Sequence, residues 1–137
     1  GDPAKGRQMA KSMFEQGADI VYHVAGGTGT GVIKAAEETG HFAIGVDTDQ
    51  DDLAPGNVLT SMIKRVDTAV YDAVARLVDG TLEGGTILRY GLEMNGVSLS
   101  EMKFTRHLIP NEHLEKVEEL KQMIIDGEIE VTDITRE

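Results

Sequence analysis

The spacing of apolar residues predicts where helices form along the chain. Apolar positions three or four residues apart predict helices from Pro3, over residues 30–39 and 65–79, and from Pro110 onward. Asp2 and Asn111 are the expected N-caps of the first and last helix, because short oxygen-bearing side chains accept hydrogen bonds from the first turn. Gly17, Gly40, Gly80 and Gly127 follow these stretches, as left-handed C′ residues do.

Shorter apolar runs predict strands between these helices. Residues 19–25 form a β-favouring run that we interpret as a strand buried on both faces, residues 42–46 predict a second buried strand, and residues 58–61 a short third one. Residues 86–99 alternate between apolar and polar, and Asn95-Gly96 within them predicts a hairpin turn.

Helices that alternate with buried strands predict an α/β fold. The expected architecture is a mostly parallel sheet with helices on both faces. Because the chain begins on a helix cap with no strand before it, we expect the front of this fold to be missing.

Composition narrows the classes of ligand. The net charge of −11 disfavours binding to nucleic acid or to an anionic membrane surface. The chain has no cysteine, so a thiolate nucleophile or a cysteine-based zinc site is excluded. We expect no cofactor and no metal.

A glycine-rich turn, AGGTGTG, follows the first predicted strand. Backbone N–H groups there can face a ligand oxygen at the start of the next helix. Val32 occupies a position where the dinucleotide fingerprint requires glycine, and it follows Gly31 where a P-loop requires lysine. Phosphate binding is therefore unsupported, which leaves a contact to a sugar or base through Gly26 or Gly27, or a plain tight turn.

An acidic segment, DTDQDD, follows the second predicted strand at the same edge of the sheet. It fails as a calcium loop, because Asp52 replaces the required glycine and Val58 the required glutamate. It also lacks the threonine of an Asp-x-Asp phosphatase. Asp47 can instead accept hydrogen bonds from two vicinal sugar hydroxyls, although a solvated loop, a metal site or phosphotransfer stay as alternatives.

Lys64 lies just before the longest predicted helix. A lysine at this position is ordinarily a solvated residue at a helix start. If it folds toward the same cleft as Asp47, it neutralises that carboxylate and donates to a ribose oxygen.

These segments resemble the basic membrane lipoprotein family, which includes bacterial purine nucleoside receptors. The resemblance is carried by DPAKG, by GAD leading to AGGTGTGVIKAA, by GVDTDQ, by LTSMIKRVDTAVYDAV and by FTRHLIPNEHLEKV, in that order. It covers nearly the whole chain, but only the C-terminal portion of the family's length. It implies a two-lobed type I periplasmic-binding-protein fold that closes about a hinge on its ligand.

The resemblance also implies a division of the chain and a set of ligand contacts. Residues 1–64 correspond to part of the ligand-binding lobe, and residues 65–137 to the hinge-crossing and C-terminal portion. The family's ribose contacts fall on Gly26 or Gly27, Asp47 and Lys64. Its base-stacking aromatic residues lie upstream of this chain.

The function implied is binding without catalysis. We expect an extracytoplasmic solute-binding component of an ABC importer that presents a purine nucleoside to its permease, anchored to the cell membrane as a lipoprotein in the full-length parent. The alternatives are a ligand-sensing transcriptional regulator, a nucleoside hydrolase using the Asp47 cluster with calcium, and a receptor for a sugar or another small solute. Alone, the chain should expose apolar surface and either be a proteolytic fragment or form a homo-oligomer.

Overall fold

The computed structural model describes residues 1–132 and contains four α-helices and four strands in that range. In chain order they are α1 (Pro3–Glu15), β1 (Ile20–Tyr22), α2 (Gly29–Thr39), β2 (Phe42–Asp47), β3 (Val58–Lys64), α3 (Val66–Val78), β4 (Val97–Leu99) and α4 (Asn111–Ile125). Short 3-10 turns lie at Gly26–Thr28, Asp51–Leu53 and Arg106–Leu108.

The strands form one sheet in the order β1-β2-β3-β4. β1 and β3 both pair with β2 in parallel, whereas β4 pairs with β3 in the antiparallel sense. The predicted α/β class with a mostly parallel sheet is therefore confirmed. The carboxyl ends of β1, β2 and β3 lie at one edge, the position where open α/β sheets bind ligands.

Contacts divide the chain into two compact units. The first consists of Gly1–Arg65 and Val97–Leu108, and the second, within the described residues, of Val66–Gly96 and residues 109–132. The whole sheet lies in the first unit. The roles predicted for residues 1–64 and 65–137 stay predictions.

In the first unit, small residues allow α1 and α2 to pack closely. A Cβ atom on Gly6 would meet the backbone oxygen of Thr28, and one on Gly31 would meet that of Pro3. Larger apolar side chains fill the space toward the sheet, of which Ile33 and Val58 are almost fully buried. Burial of each such side chain stabilises the fold by roughly 1.5–3 kcal/mol. The buried apolar cluster comprises Ala10, Phe14, Val32, Ile33, Ala35, Ala36, Ala43, Ala54 and Val58.

The predicted N-cap of α1 and the four predicted C′ glycines are confirmed. Asp2 Oδ1 accepts a hydrogen bond from the Lys5 N–H at 3.0 Å, which caps α1. Gly17, Gly40, Gly80 and Gly127 all adopt positive φ angles, between 70° and 97°. The cap of α4 was misplaced, since Pro110 holds the N-cap position with an extended backbone and Asn111 is the first helical residue. Helix boundaries from sequence carry that uncertainty of one residue.

Two strand predictions are wrong. β1 is not buried on both faces: Ile20 and Tyr22 are 39% and 49% exposed, because β1 has only β2 as a neighbour among the described residues. The predicted hairpin over residues 86–99 does not form either. Within it, only Val97–Leu99 is a strand, and it pairs with β3. Asn95 does lie in a turn with a φ of 51°, but the preceding residues find no partner strand.

In the second unit, the apolar stripe of α3 faces solvent. Val70, Val74 and Leu77 are 57%, 55% and 66% exposed. On the same helix, Asp72 Oδ2 accepts hydrogen bonds from Arg76 Nε at 2.6 Å and from the Tyr90 hydroxyl at 2.9 Å. These bonds fix part of the segment that follows α3. No helix within residues 1–132 is long and apolar enough to cross a bilayer.

Candidate functional site

The structure brings Asp47 and Lys64 together at the carboxyl edge of the sheet. Asp47 ends β2 and Lys64 ends β3, its parallel neighbour. The Lys64 Nζ atom lies 2.7 Å from Asp47 Oδ1, and the side chains are 58% and 47% exposed, respectively. A cation and a carboxylate thus lie side by side, and both are open to a ligand.

The two oxygens of the Asp47 carboxylate are in different situations. Oδ1 is buried, and the Lys64 ammonium lies 2.7 Å from it. The solvent-exposed atoms of the Asp47 side chain are therefore atoms other than Oδ1. The short contact with the Asp47 carboxylate, and then its negative charge, raise the pKa of Lys64 above its usual value. Lys64 is thus a cation at neutral pH.

The backbone at Asp47 is unusual. Asp47 has a φ of 73°, in the left-handed region that side-chain-bearing residues rarely adopt. The Thr48 N–H donates to the Val46 carbonyl at 2.9 Å, so Asp47 is the central residue of a γ-turn. Strain of this kind clusters at ligand sites, where the surrounding structure enforces it.

Gly26 and Gly27 form an exposed turn after β1. Gly26 has a φ of 51°, and a Cβ atom on either glycine would meet nothing within 4 Å. The turn is connected to α2 by a hydrogen bond from the Thr30 hydroxyl to the Gly27 carbonyl at 3.0 Å. The two predicted glycines therefore offer open backbone at the same sheet edge as Asp47.

The next two glycines of the motif have a packing role. A Cβ atom on Gly29 would overlap the ring of His23, and one on Gly31 would overlap the Pro3 carbonyl. Only part of the glycine motif is thus available to a ligand. The rest lets α2 approach its neighbours.

A buried polar network lies beneath the exposed pair. Asp51 is 1% exposed, and its Oδ1 accepts from the hydroxyls of Ser61 and Ser100, each at 3.0 Å. Its Oδ2 accepts from the Lys103 N–H at 3.3 Å. These bonds join the loop after β2, strand β3 and the segment after β4, and they satisfy a carboxylate that burial would otherwise penalise.

Gln50 connects this network to the end of β1. Its side-chain oxygen accepts from the Val46 N–H at 2.9 Å and bonds His23 Nε2 at 3.1 Å, while its own N–H donates to the Ser61 hydroxyl at 3.1 Å. Because an amide oxygen only accepts, Nε2 of His23 carries the proton. Burial lowers the pKa of His23, partly offset by its bond to Gln50 and by the charge of Asp47.

Sequence reasoning missed Gln50, Asp51, Ser61 and Ser100 as supports of the site. Asp51 was considered only as part of the acidic segment, and the two serines were assigned no role. Asp51 and Ser100 are far apart in the chain, so no local pattern links them. The position of Gln50 within the acidic segment DTDQDD was the one available signal.

Within residues 1–132, no group of three His, Asp or Glu side chains is arranged to hold a metal ion. His23 is buried, and His41 stacks on Phe14 with ring centroids 4.5 Å apart. His107 and His113 are exposed.

Residues 1–135 match the model of the family Bmp, described as ABC transporter substrate-binding protein PnrA-like. Basic membrane protein D of Borreliella burgdorferi is 39% identical over 137 residues, with 96% of this chain and 39% of that protein covered. The chain spans about two fifths of the length of the curated relatives it matches.

Solved structures resemble the chain closely. A solute-binding protein of an ABC transporter system from Aeropyrum pernix K1 superposes with a TM-score of 0.80 at 33% identity, over 97% of this chain and 45% of that one. A transcriptional activator of the comK gene from Bacillus halodurans gives a TM-score of 0.81 at 30% identity, over 90% and 42%.

Proposed function

The chain belongs to the Bmp family of PnrA-like ABC transporter substrate-binding proteins, and from this premise we propose that it forms part of a receptor that binds a purine nucleoside for an ABC importer. The full-length protein acts outside the cytoplasm, anchored to the membrane as a lipoprotein, and delivers its ligand to a permease. It binds without catalysis.

The observation that carries this proposal is the Asp47–Lys64 pair. A ribose presents vicinal hydroxyls that donate to a carboxylate and accept from an ammonium. The exposed part of the Asp47 carboxylate accepts the hydroxyl protons, and Lys64 donates to a ribose oxygen beside it. Gly26 or Gly27 adds a backbone contact where the absence of a side chain leaves room.

The electrostatics favour a neutral ligand over a nucleotide. Asp47 lies 2.7 Å from Lys64 and compensates its charge, so the pair offers no net positive charge to a phosphate. The chain as a whole carries a net charge of −11. A nucleoside has the hydroxyls that this pair can bind and lacks the phosphate that the negatively charged chain would repel.

Mass spectrometry of small molecules released from the denatured full-length protein tests the ligand class directly. We expect a purine nucleoside in the released fraction. Release of a free sugar or of another solute instead would contradict the nucleoside assignment, although the fold assignment would still hold.

Incubation of the full-length protein with inosine tests the absence of catalysis. We expect the nucleoside to be recovered intact, with and without added calcium. Release of hypoxanthine would favour a nucleoside hydrolase.

A ligand-sensing regulator is the second candidate, because the superposed Bacillus halodurans structure is described as a transcriptional activator. Metabolic labelling with a radioactive fatty acid separates the two roles. A labelled protein in the membrane fraction supports transport, whereas an unlabelled cytoplasmic protein that alters transcription on nucleoside addition supports regulation.

A further inference from the structure

The γ-turn at Asp47 needs a restraint from outside itself. Its central residue has a φ of 73°, which is unfavourable for a side chain with a Cβ atom. Without such a restraint, the backbone at Asp47 would relax to an extended or helical conformation. Relaxation would turn the Asp47 carboxylate away from Lys64, whose Nζ lies 2.7 Å from it.

Gln50 provides bonds on both sides of this turn. Its side-chain oxygen accepts from the Val46 N–H at 2.9 Å, immediately before Asp47. Its backbone N–H donates to the Ser61 hydroxyl on β3 at 3.1 Å, so the far end of the turn is tied to the neighbouring strand. These two bonds restrain the backbone of residues 46–50, which contain the γ-turn.

The Gln50 side chain itself has little freedom to move. A Cβ atom on Gly45 would lie 2.9 Å from its side-chain oxygen and 2.5 Å from the Ser61 hydroxyl, so these groups are packed against the strand. On the other side, the same oxygen bonds His23 Nε2 at 3.1 Å, and His23 is 4% exposed. The buried His23 ring thus fixes the Gln50 side-chain oxygen, which accepts from the Val46 N–H.

We propose that Gln50 is a positioning residue, which sets the Asp47 carboxylate against Lys64 by restraining both sides of the γ-turn and does not itself contact the ligand. The expected effect of Gln50 on nucleoside affinity rests on the proposed function. Its effect on the geometry of Asp47 is independent of what the ligand is.

Calorimetry on the full-length protein tests the effect on affinity. Gln50→Met keeps the length of the side chain and removes the acceptor, and it should weaken nucleoside binding by about tenfold. In an Asp47→Ala background the same change should cost less than about twofold, because Gln50 acts through Asp47. Gln8→Met, the same change on an exposed position of α1, is the control and should leave affinity unchanged. An equal loss in both backgrounds would overturn the proposal.

A ligand-independent measurement separates this proposal from the proposed function. In Gln50→Met, a crystal structure should show Asp47 with a negative φ, and NMR titration of labelled lysine should show the pKa of Lys64 moving down toward its usual value. An unchanged φ and an unchanged Lys64 titration would overturn the positioning role. If the parent protein binds no nucleoside, the proposed function fails while these two readouts still decide the role of Gln50. Gln50→Leu replaces Gln50→Met if the latter does not fold.

Discussion

The turn after β1 and the loop after β2 lie at the same edge of the sheet but are built in opposite ways. The turn, Gly26–Thr28, presents backbone with open space around Gly26 and Gly27. The loop after β2 presents a charged side chain in a strained backbone conformation, with Gln50 and Asp51 bonded beneath it. One region therefore supplies room for a ligand, and the other supplies fixed polar groups.

Because of this difference, mutations in the two regions should have different effects on stability and on affinity. Fixed polar groups lower the entropy lost on binding, because they are ordered before the ligand arrives. Their order is maintained by buried hydrogen bonds, so mutations there should affect both stability and affinity. Mutations in the open turn should affect affinity alone.

The largest expected effect comes from the packed end of the glycine motif. Gly31→Ala places a methyl group against the Pro3 carbonyl, a backbone group that cannot easily move. We therefore expect the free energy of unfolding to fall by about 3 kcal/mol. Urea unfolding of the full-length protein measures this. Gly27→Ala is the matched control, expected to change stability by less than about 0.5 kcal/mol. Equal effects at the two positions would refute the division of the motif into packed and open glycines.

The buried acid beneath the loop comes next. Asp51→Ala removes the acceptor of two serine hydroxyls, so these donors stay buried without a partner and the free energy of unfolding should fall by about 2 kcal/mol. Its neighbour Asp52 forms an exposed ion pair with Lys103, and Asp52→Ala should cost less than about 1 kcal/mol. Thermal unfolding of both variants compares them, and similar losses would show that the network does not stabilise the loop.

The pH dependence of stability reports on His23. Because burial lowers the pKa of His23 below 6.5, the unfolded chain binds its proton more readily than the folded one. Stability is therefore retained above pH 6.5 and declines as the pH falls from 6.5 toward the lowered pKa. His23→Phe should flatten this part of the pH profile in urea unfolding, whereas His107→Phe, at an exposed position, should not. A steeper or unchanged profile in His23→Phe would contradict the assignment.

The smallest effect concerns affinity at the open turn. Gly27→Ala should weaken nucleoside binding by about 1 kcal/mol or less, because the added methyl group occupies space that a ligand approaches. Gly84→Ala makes the same change at another open glycine and serves as the control. If both variants bind as tightly as the parent, the glycine turn does not contact the ligand.

Features that depend on neighbouring residues in the chain could be predicted from the sequence. The four glycine-terminated helices are confirmed, since a left-handed C′ residue is a local requirement. The order of helices and strands up to α3 follows from the periodicity of apolar residues. Asp47 could be placed at the ligand-binding edge, because it follows a predicted strand. Lys64 was placed there only on the condition that it folds toward the same cleft, because the third strand was predicted to end at residue 61, whereas β3 extends to Lys64.

Features that depend on distant partners could not be predicted. The alternation over residues 86–99 gave no information about which strand would pair with Val97–Leu99. The bond between Asp51 and Ser100 has no local pattern. The γ-turn at Asp47 was equally hidden, since it depends on an acceptor from Gln50 and on Ser61 in the next strand.

The measurement that tests the account most directly is the calorimetric affinity of Asp47→Ala in the full-length protein for a purine nucleoside. The lost charge-assisted hydrogen bonds should weaken binding by on the order of 1–3 kcal/mol, while Asp52→Ala should bind like the parent. An affinity unchanged by Asp47→Ala would contradict the claim that Asp47 and Lys64 bind the ribose.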